Sequence, residues 1–208
     1  MLQFLNDHPF AFLTGSDSNG KQVATQIPIL VEEREGEWYL QGHIMRITHH
    51  HIAFNENPQV LAVFTGPQTY VSATLYTNPQ IGSTWNYMSV QIKGNINFLP
   101  EEDLISFMQK LTLKFESNNT NSPTIYNNLP DKFLKNMLPA IDAFEIKVEE
   151  MRNVFKLSQN RDEQSYRNIM ARLKEQGGNG SLIAVEMEKR IEQLFPPGVE
   201  WDGNEFLS

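Results

Sequence analysis

The sequence predicts a mainly β fold, an antiparallel barrel with helices at its periphery. The first observation is the dipeptide Asn19-Gly20, which lies between two apolar runs and supplies the positive φ angles of a tight hairpin turn. A second hairpin is expected at Gly36, so three strands follow one another within about forty residues without an intervening helix. The third observation is the alternation of apolar and polar residues over 88–98, which is typical of a strand with one buried face.

Composition limits the classes of protein to which the chain can belong. Its 208 residues, 40% hydrophobic and 20% charged, are typical of a soluble globular protein with a substantial core. No segment has the apolar length of a membrane span, and the first residues lack the basic start and cleavage site of a signal peptide. The absence of cysteine excludes a disulfide framework and favours a cytoplasmic setting. With 17 basic against 25 acidic residues and a net charge of −8, direct DNA binding is doubtful.

The N-terminal half is expected to consist mostly of strands. After a short opening helix that ends near Pro9, strands are predicted at 10–14, 23–31, 38–40, 60–64, 69–76 and 88–98. The run 60–64 is apolar without interruption, so both faces of that strand are expected to be covered. Gly94, in the middle of the last of these strands, marks a bend or a close approach of another backbone.

The C-terminal half is expected to contain more helix. Helices are predicted at 100–117 and 130–138, and the first of them has Pro100 at its start and an acidic first turn. A strand at 144–148 then returns to the sheet. Two further helices follow, and Ser181 is expected to cap the last one.

These elements suggest a division of the chain at about residue 160. We expect a barrel domain at 1–160, which includes the two inserted helices, and a helical extension with a tail at 161–208. The tail carries Trp201 and Phe206, which are expected to be exposed, and is either packed on a partner or disordered.

One stretch, residues 40–66, combines groups suited to a phosphate. It places hydroxyl, imidazole and guanidinium donors at the start of a short helix, where unpaired backbone N–H groups also point. The candidate phosphate-binding residues are His43, Arg46, Thr48, His49 and His50. The alternative interpretation is a solvated surface. A metal site is not expected, because adjacent histidines point in different directions and no cysteine completes a tetrahedral zinc set.

Two polar segments further along the chain each allow two interpretations. Thr84-Trp85-Asn86-Tyr87 is either a strand end with Trp85 in the core or a place where a flat ligand packs on an aromatic ring and is oriented by an amide. Residues 156–160 form either a helix-capping turn or part of a polar pocket. The sequence contains none of the G-x-S-x-G, H-E-x-x-H, G-x-x-x-x-G-K-[ST] or G-x-G-x-x-G motifs, so it gives no sign of a hydrolase, zinc protease, NTPase or Rossmann enzyme.

Several segments together resemble the PaiB-type family of FMN-binding transcriptional regulators, and the resemblance extends to about Leu173. The segments are Phe10-Ala11-Phe12-Leu13-Thr14, Gly42-His43-Ile44 with Arg46, Phe64-Thr65-Gly66-Pro67 with Tyr70 and Ser72, Thr84-Trp85-Asn86-Tyr87, Gly94 and Lys156-Leu157-Ser158-Gln159-Asn160-Arg161. The resemblance implies an antiparallel split β-barrel of the FMN-binding type with C-terminal helices, similar to pyridoxamine-phosphate oxidases. It also implies a homodimer with flavin in the subunit cleft, and negative regulation of sporulation and degradative-enzyme genes in some bacteria.

The resemblance also implies which residues bind FMN. Arg46, Thr48, His49 and His50 fall where split barrels commonly hold the flavin phosphate. The other residues implied are Thr84, Trp85 and Asn86 near the dimer cleft and Lys156, Gln159 and Asn160 in the C-terminal signature. The chain departs from the family pattern at 73–75, where a Pro and a Trp are lost, at 45–49 and at Gln26, and these departures lie close to the expected pocket.

Three functions follow as hypotheses. The favoured one is an FMN-binding protein that acts as a negative transcriptional regulator or as a flavin-dependent sensor. The second is a flavin oxidoreductase similar to NAD(P)H:flavin reductases or pyridoxamine-phosphate oxidases; because no residue stands out as an acid or a base, catalysis is left open. The third is a homodimeric relic that binds no cofactor.

Overall fold

The computed structural model describes residues 1–198, and strands and helices occur throughout these residues. The strands are β1 (Phe10–Ser16), β2 (Gln22–Pro28), β3 (Leu30–Arg34), β4 (Glu37–Met45), β5 (Gln59–Val71), β6 (Thr84–Phe98) and β7 (Ile141–Lys156). The helices are α1 (Leu2–Asp7), α2 (His49–Glu56), α3 (Glu101–Phe115), α4 (Asp131–Met137), α5 (Glu163–Gln176), α6 (Gly178–Glu188) and α7 (Ile191–Leu194). The predicted tail residues Trp201 and Phe206 lie outside the described residues.

The seven strands form one antiparallel sheet in the order β2-β1-β5-β6-β7-β4-β3. The mainly β fold with peripheral helices that the sequence predicts is therefore confirmed. The chain divides into two compact units: the first contains Met1–Phe64 and Val90–Arg152, and the second contains Thr65–Ser89 and the chain from Asn153 onward. The boundary expected at residue 160 stays a prediction.

Both N-terminal hairpins form where the sequence predicts them. Gly20 has a φ of 81°, and the carboxylate of Asp17 accepts hydrogen bonds from the backbone N–H groups of Asn19 and Lys21, each at 2.9 Å. In the second hairpin, Gly36 and the residue before it both adopt positive φ angles. Tight turns of this kind fix the register of the strands that they join, and β1 pairs with β2 so that residue 12 lies opposite residue 26.

The core of the first unit lies between the sheet and α3. The buried face of this helix consists of Leu104, Phe107, Met108 and Leu111, which pack with Leu30, Ile141 and Ala143 of the sheet. The helix predicted at 100–117 is thus confirmed. The expectation for 60–64 is wrong in one respect, because Leu61 and Val63 are only half-buried and a single face of β5 is fully covered there.

Gly94 of β6 lies where another backbone comes very close. A Cβ atom added at this position would be 2.1 Å from the carbonyl oxygen of Lys147 on β7 and 2.8 Å from the side chain of Ile146. The close approach inferred from the sequence is therefore confirmed. The strand β7 is longer than predicted, since it runs from Ile141 to Lys156 and not only over 144–148.

The second unit is built around the antiparallel packing of α5 and α6. The hydroxyl group of Tyr166 on α5 donates to the carbonyl of Met187 on α6 at 2.9 Å, and both residues are fully buried. The helix α6 begins at Gly178, before the predicted cap at Ser181. Ser181 is already inside the helix, because its N–H bonds to the carbonyl of Gly177 and its hydroxyl to that of Lys174. Within residues 1–198, no helix is long and apolar enough to cross a membrane.

Candidate functional site

A cavity of about 620 Å³ in the first unit lies beside α2. Its lining comes from the helix and the turn before it and from the β1–β2 hairpin, and includes Ile47, Thr48, His49, His50, Ile52, Ala53, Glu56, Asp17, Lys21, Gln22, Val23 and Ala24. His49, Ile52, Ala53 and Glu56 are spaced so that they share one face of the helix. The cavity therefore runs along α2 from its donor-rich N-terminus to its C-terminal end.

The N-terminus of α2 is capped by Thr48. The Thr48 hydroxyl accepts a hydrogen bond from the backbone N–H of His51 at 3.3 Å and donates one to the carbonyl of Met45 at 3.0 Å. The N–H groups of His49 and His50 lie in the first turn, where an α-helix provides no carbonyl partner for them. These two N–H groups and the positive end of the helix dipole are suited to an anion.

Two imidazoles stand beside these N–H groups. His49 is exposed, whereas His50 is half-buried with its ring 6.2 Å from that of Phe54. Burial lowers the pKa of His50, and the neighbouring His51 and His49 lower it further. His50 is therefore mainly neutral at neutral pH, and a bound anion would favour its protonated form.

Arg46 makes its contacts with β7. Its Nη2 atom lies 2.6 Å from Oδ1 of Asp142, and its Nε atom donates to the carbonyl of Ile141 at 3.1 Å. Its backbone N–H donates to the carbonyl of Ala140 at 2.9 Å. The guanidinium group of Arg46, which the sequence predicts to bind phosphate, is thus already paired with a carboxylate, and the cavity lining described above does not include it.

His43 lies on β4 and packs against α3. Its ring centroid is 5.8 Å from that of Phe107, and its Nδ1 atom is buried without a hydrogen-bond partner among the described residues. Burial lowers the pKa of His43 and keeps the ring neutral. The structure thus places this predicted phosphate residue in the interior of the first unit.

In the second unit the two signature segments bond to each other. The side-chain oxygen of buried Asn86 accepts from the Ser158 hydroxyl at 2.9 Å, and the Lys156 ammonium donates to the Thr84 hydroxyl at 2.6 Å. Gln159 uses both ends of its amide locally, accepting from the N–H of Leu157 and donating to the carbonyl of Phe155. Asn86 and Gln159 therefore hold the 156–160 turn in place. These bonds also help to keep Ser158 in its left-handed conformation, in which φ is positive.

Trp85 and Tyr70 form an aromatic pair on the surface of the second unit. Their ring centroids are 6.1 Å apart in an edge-to-face arrangement, and the two residues are 53% and 52% exposed. The interpretation of Trp85 as a core residue is therefore wrong. Asn160 is also exposed. This unit offers a flat apolar surface and an ammonium group, while the amides of buried Asn86 and half-buried Gln159 are engaged in holding the chain.

The structure thus gathers the predicted site residues in two places. Thr48, His49 and His50 line the cavity of the first unit, whereas Thr84, Asn86 and Lys156 are linked to the turn at 156–160 in the second. Lys21 and Gln22, which were not predicted as site residues, line the cavity from the β1–β2 hairpin. The hairpin itself was predicted, but only its packing on α2 brings these side chains to the cavity. No group of three or more metal-binding side chains occurs within residues 1–198.

The residues of the cavity fit a phosphate monoester. Two free N–H groups, two imidazoles and the ammonium of Lys21 provide donors, and no ion pair of Lys21 is found in the described part of the chain. The two acidic residues of the lining are already bonded. Asp17 accepts from backbone N–H groups of its own turn, and Glu56 accepts from the N–H and the hydroxyl of Ser18. These hydrogen bonds partly neutralise the carboxylates of Asp17 and Glu56, so the two carboxylates repel an anion in the cavity less strongly.

Known proteins resemble the chain in sequence and in fold. It is 29% identical over 191 residues to "Protease synthase and sporulation protein PAI 2" of Bacillus subtilis (strain 168), with 91% of each chain covered. The FAD and heme binding protein from Mycobacterium smegmatis has a TM-score of 0.54 at 18% identity, covering 74% of this chain and 69% of that chain. The flavocytochrome Anf3 from Azotobacter vinelandii has a TM-score of 0.52 at 19% identity, covering 74% of this chain and 64% of that chain. The two structures establish a similarity of fold alone.

The fold and the family model agree with each other. The seven-stranded antiparallel sheet with its helices is that of the split barrel, as the sequence resemblance implies. The family model described as "Putative FMN-binding domain" matches residues 1–150, which is most of the chain. The chain therefore belongs to this family of FMN-binding split-barrel domains, and its cofactor is FMN.

Proposed function

We propose that this protein is an FMN-binding regulator in which the N-terminus of α2 binds the flavin phosphate. The observation that carries the proposal is the cavity of about 620 Å³ with the free N–H groups of His49 and His50 at one end. A pair of N–H groups at a helix N-terminus, next to imidazoles, matches a doubly charged phosphate better than a neutral ligand. Thr48 keeps the first turn of the helix in the conformation that these groups require.

Each lining residue has a distinct part in the proposed binding. His50 is held half-buried against Phe54 and gains a proton when the dianion arrives, so it provides a charge only to the bound state. His49, which is exposed, adds a second imidazole donor at the mouth of the cavity. Lys21 provides an ammonium group from the β1–β2 hairpin. When bound, FMN supplies a ring system that can accept and release electrons.

The exposed aromatic pair Tyr70 and Trp85 is proposed as a second binding surface, on which a flat ring stacks. Lys156 donates to the hydroxyl of Thr84, the residue that precedes Trp85, and adds a cation. Asn86 and Gln159 take part indirectly, since their amides hold the turn that carries Lys156.

A role in regulation is proposed to act through a partner or through the ligand state. The net charge of −8 disfavours a surface that binds nucleic acid by itself, because such surfaces depend on clustered Lys and Arg. We propose a homodimer as the functional form and a reducing, cytoplasmic compartment, the latter in keeping with a chain that has no cysteine. Negative control of transcription is the form of regulation that the sequence resemblance favours.

The visible absorption spectrum of the purified protein with added FMN, before and after NADH, tests this function. We expect FMN to be retained through gel filtration and its absorption to persist when NADH is added. Rapid bleaching of the flavin absorption by NADH would contradict the regulator and favour a flavin oxidoreductase, in which the cofactor itself carries the electrons. A protein that takes up no FMN would contradict the proposal and leave the cofactor-free relic.

A further inference from the structure

We infer that Asp142 is a positioning residue for the N-terminus of α2 and, through it, for the phosphate bound there. The inference rests on the proposed function, because it concerns the same end of the cavity. Asp142 lies on β7, and its side chain is only 16% exposed. It is far from α2 in the sequence, and it makes no part of the cavity lining described above.

Both carboxylate oxygens of Asp142 hold the turn that leads into α2. Oδ1 lies 2.6 Å from Nη2 of Arg46, which begins the turn, and Oδ2 lies 2.8 Å from Nε2 of His51, in the first turn of the helix. One half-buried carboxylate therefore connects the two ends of the segment 46–51. Because charged hydrogen bonds of this length are directional, they fix the segment against β7.

The other side of His51 completes the arrangement. The Nδ1 atom of His51 accepts from the backbone N–H of Ile47 at 3.4 Å, and the ring centroid lies 4.9 Å from that of Phe98. The backbone N–H of His51 donates to the Thr48 hydroxyl. Because Nδ1 accepts, Nε2 is assigned as the nitrogen that donates to Asp142. His51 thus transmits the position of the carboxylate to both the turn and the cap.

Ile47 shows that this turn needs to be held. It is a β-branched residue with a φ of 64°, and it is 85% exposed, so its own side chain does little to stabilise the conformation. A non-glycine residue in the left-handed region costs on the order of 1 kcal/mol or more and persists where surrounding contacts determine it. The contacts of Asp142 with Arg46 and His51 are the ones that flank Ile47 on either side.

The charges support a positional role. Arg46 is paired with Asp142, so the two side chains together contribute no net charge to the turn. The donors left for an anion are the N–H groups and imidazoles of His49 and His50. Asp142 therefore acts on the geometry of these donors and not by direct attraction, since its own charge would repel a phosphate.

Glu145 provides a matched control on the same strand. Its side chain is 19% exposed, close to the value for Asp142, and its Oε2 atom accepts from Arg34 and from Gln41, the latter at 3.0 Å. It thus makes the same kind of charged bonds between β7 and its neighbours, but its partners lie on β3 and β4, away from α2. Removing either carboxylate is expected to lower stability by a similar amount.

The test compares the dissociation constants of FMN and riboflavin, which differ only by the phosphate, by quenching of flavin fluorescence. The dissociation constant of riboflavin divided by that of FMN measures the contribution of the phosphate to binding. A general loss of stability weakens the binding of both flavins and leaves this ratio unchanged. For Asp142→Ala we expect this ratio to fall about tenfold, for Asp142→Asn to fall less, and for Glu145→Ala to equal that of the wild type at a similar melting temperature.

The outcomes separate this inference from the function on which it rests. A wild-type protein that binds FMN no better than riboflavin would overturn the phosphate site and the inference together. A wild type that prefers FMN strongly, with the same preference in Asp142→Ala and Asp142→Asn, would overturn the role of Asp142 alone. If Asp142→Ala does not fold, Asp142→Asn decides, because it preserves the shape of the side chain and removes its charge.

Discussion

Replacing Gly94 by alanine is expected to destabilise the sheet that carries the site. The added methyl group would lie 2.1 Å from the carbonyl oxygen of Lys147, whereas such atoms are ordinarily at least 3.4 Å apart. Because the obstacle is the backbone of β7 and not the end of a flexible side chain, the two strands have to separate by about 1 Å. Ile146, 2.8 Å from the same position, blocks a sideways shift.

The size of the effect follows from this geometry. Overfilling a packed site usually costs about 1–3 kcal/mol, and a backbone obstacle places Gly94→Ala near the upper end. Alanine restricts the unfolded chain more than glycine does, and this effect raises the free energy of unfolding by about 0.4–1 kcal/mol. We therefore expect the free energy of unfolding to fall by about 2–3 kcal/mol, which for a chain of this length lowers the melting temperature by about 4–12 °C.

Urea denaturation followed by circular dichroism measures this change, and Gly82→Ala is the matched control. No atom lies within 4 Å of the position that a Cβ would take at Gly82, so that substitution has no steric cost, and restriction of the unfolded chain is expected to raise the free energy of unfolding by about 0.4–1 kcal/mol. If Gly94→Ala is as stable as Gly82→Ala, the close contact of β6 with β7 at this position is wrong.

Three further predictions concern the histidines and Arg46. Burial lowers the pKa of His50, and a bound dianion raises it. The wild type should therefore bind FMN more tightly than His50→Gln does, by a factor that grows as pH falls from about 8 to about 6. A factor that does not change with pH would contradict proton uptake at His50. Because burial lowers the pKa of His43 in the folded protein, the unfolded chain binds more protons below about pH 6.5. The contribution of His43 to the free energy of unfolding is therefore complete above that pH and falls below it by at most about 1.4 kcal/mol per pH unit. In urea titrations, the free energy of unfolding of His43→Leu should depend less on pH than that of the wild type. Arg46→Ala should weaken FMN binding more than Lys93→Ala, which removes only an exposed pair with Glu150, and equal losses would argue against the site.

Much of the fold could be predicted because burial imposes a period on the sequence. In β6 the even-numbered residues from 88 to 96 are buried, and the alternation of the sequence showed this directly. The dipeptide Asn19-Gly20 determined a turn through backbone conformation alone. The run 60–64 was misinterpreted because apolar residues such as Leu61 also occur on half-covered faces, so the absence of alternation does not require that both faces be buried.

The site was less predictable because its contacts are long-range. The sequence drew attention to Arg46, but the partner of this residue, Asp142, is brought to it by the pairing of β4 with β7, in which residue 44 lies opposite residue 142. No local pattern marks Asp142 among the acidic residues of the C-terminal half. Lys21 was missed for the same reason, since its place in the cavity depends on the packing of a hairpin against α2.

Calorimetric titration of the wild-type protein with FMN and with riboflavin tests the central claim most directly, because the two ligands differ by the group that the N-terminus of α2 is proposed to bind. We predict that FMN binds at least tenfold more tightly, a difference of about 1.4 kcal/mol, and that inorganic phosphate competes with it. Equal affinities for the two flavins, with no effect of phosphate, would contradict the account.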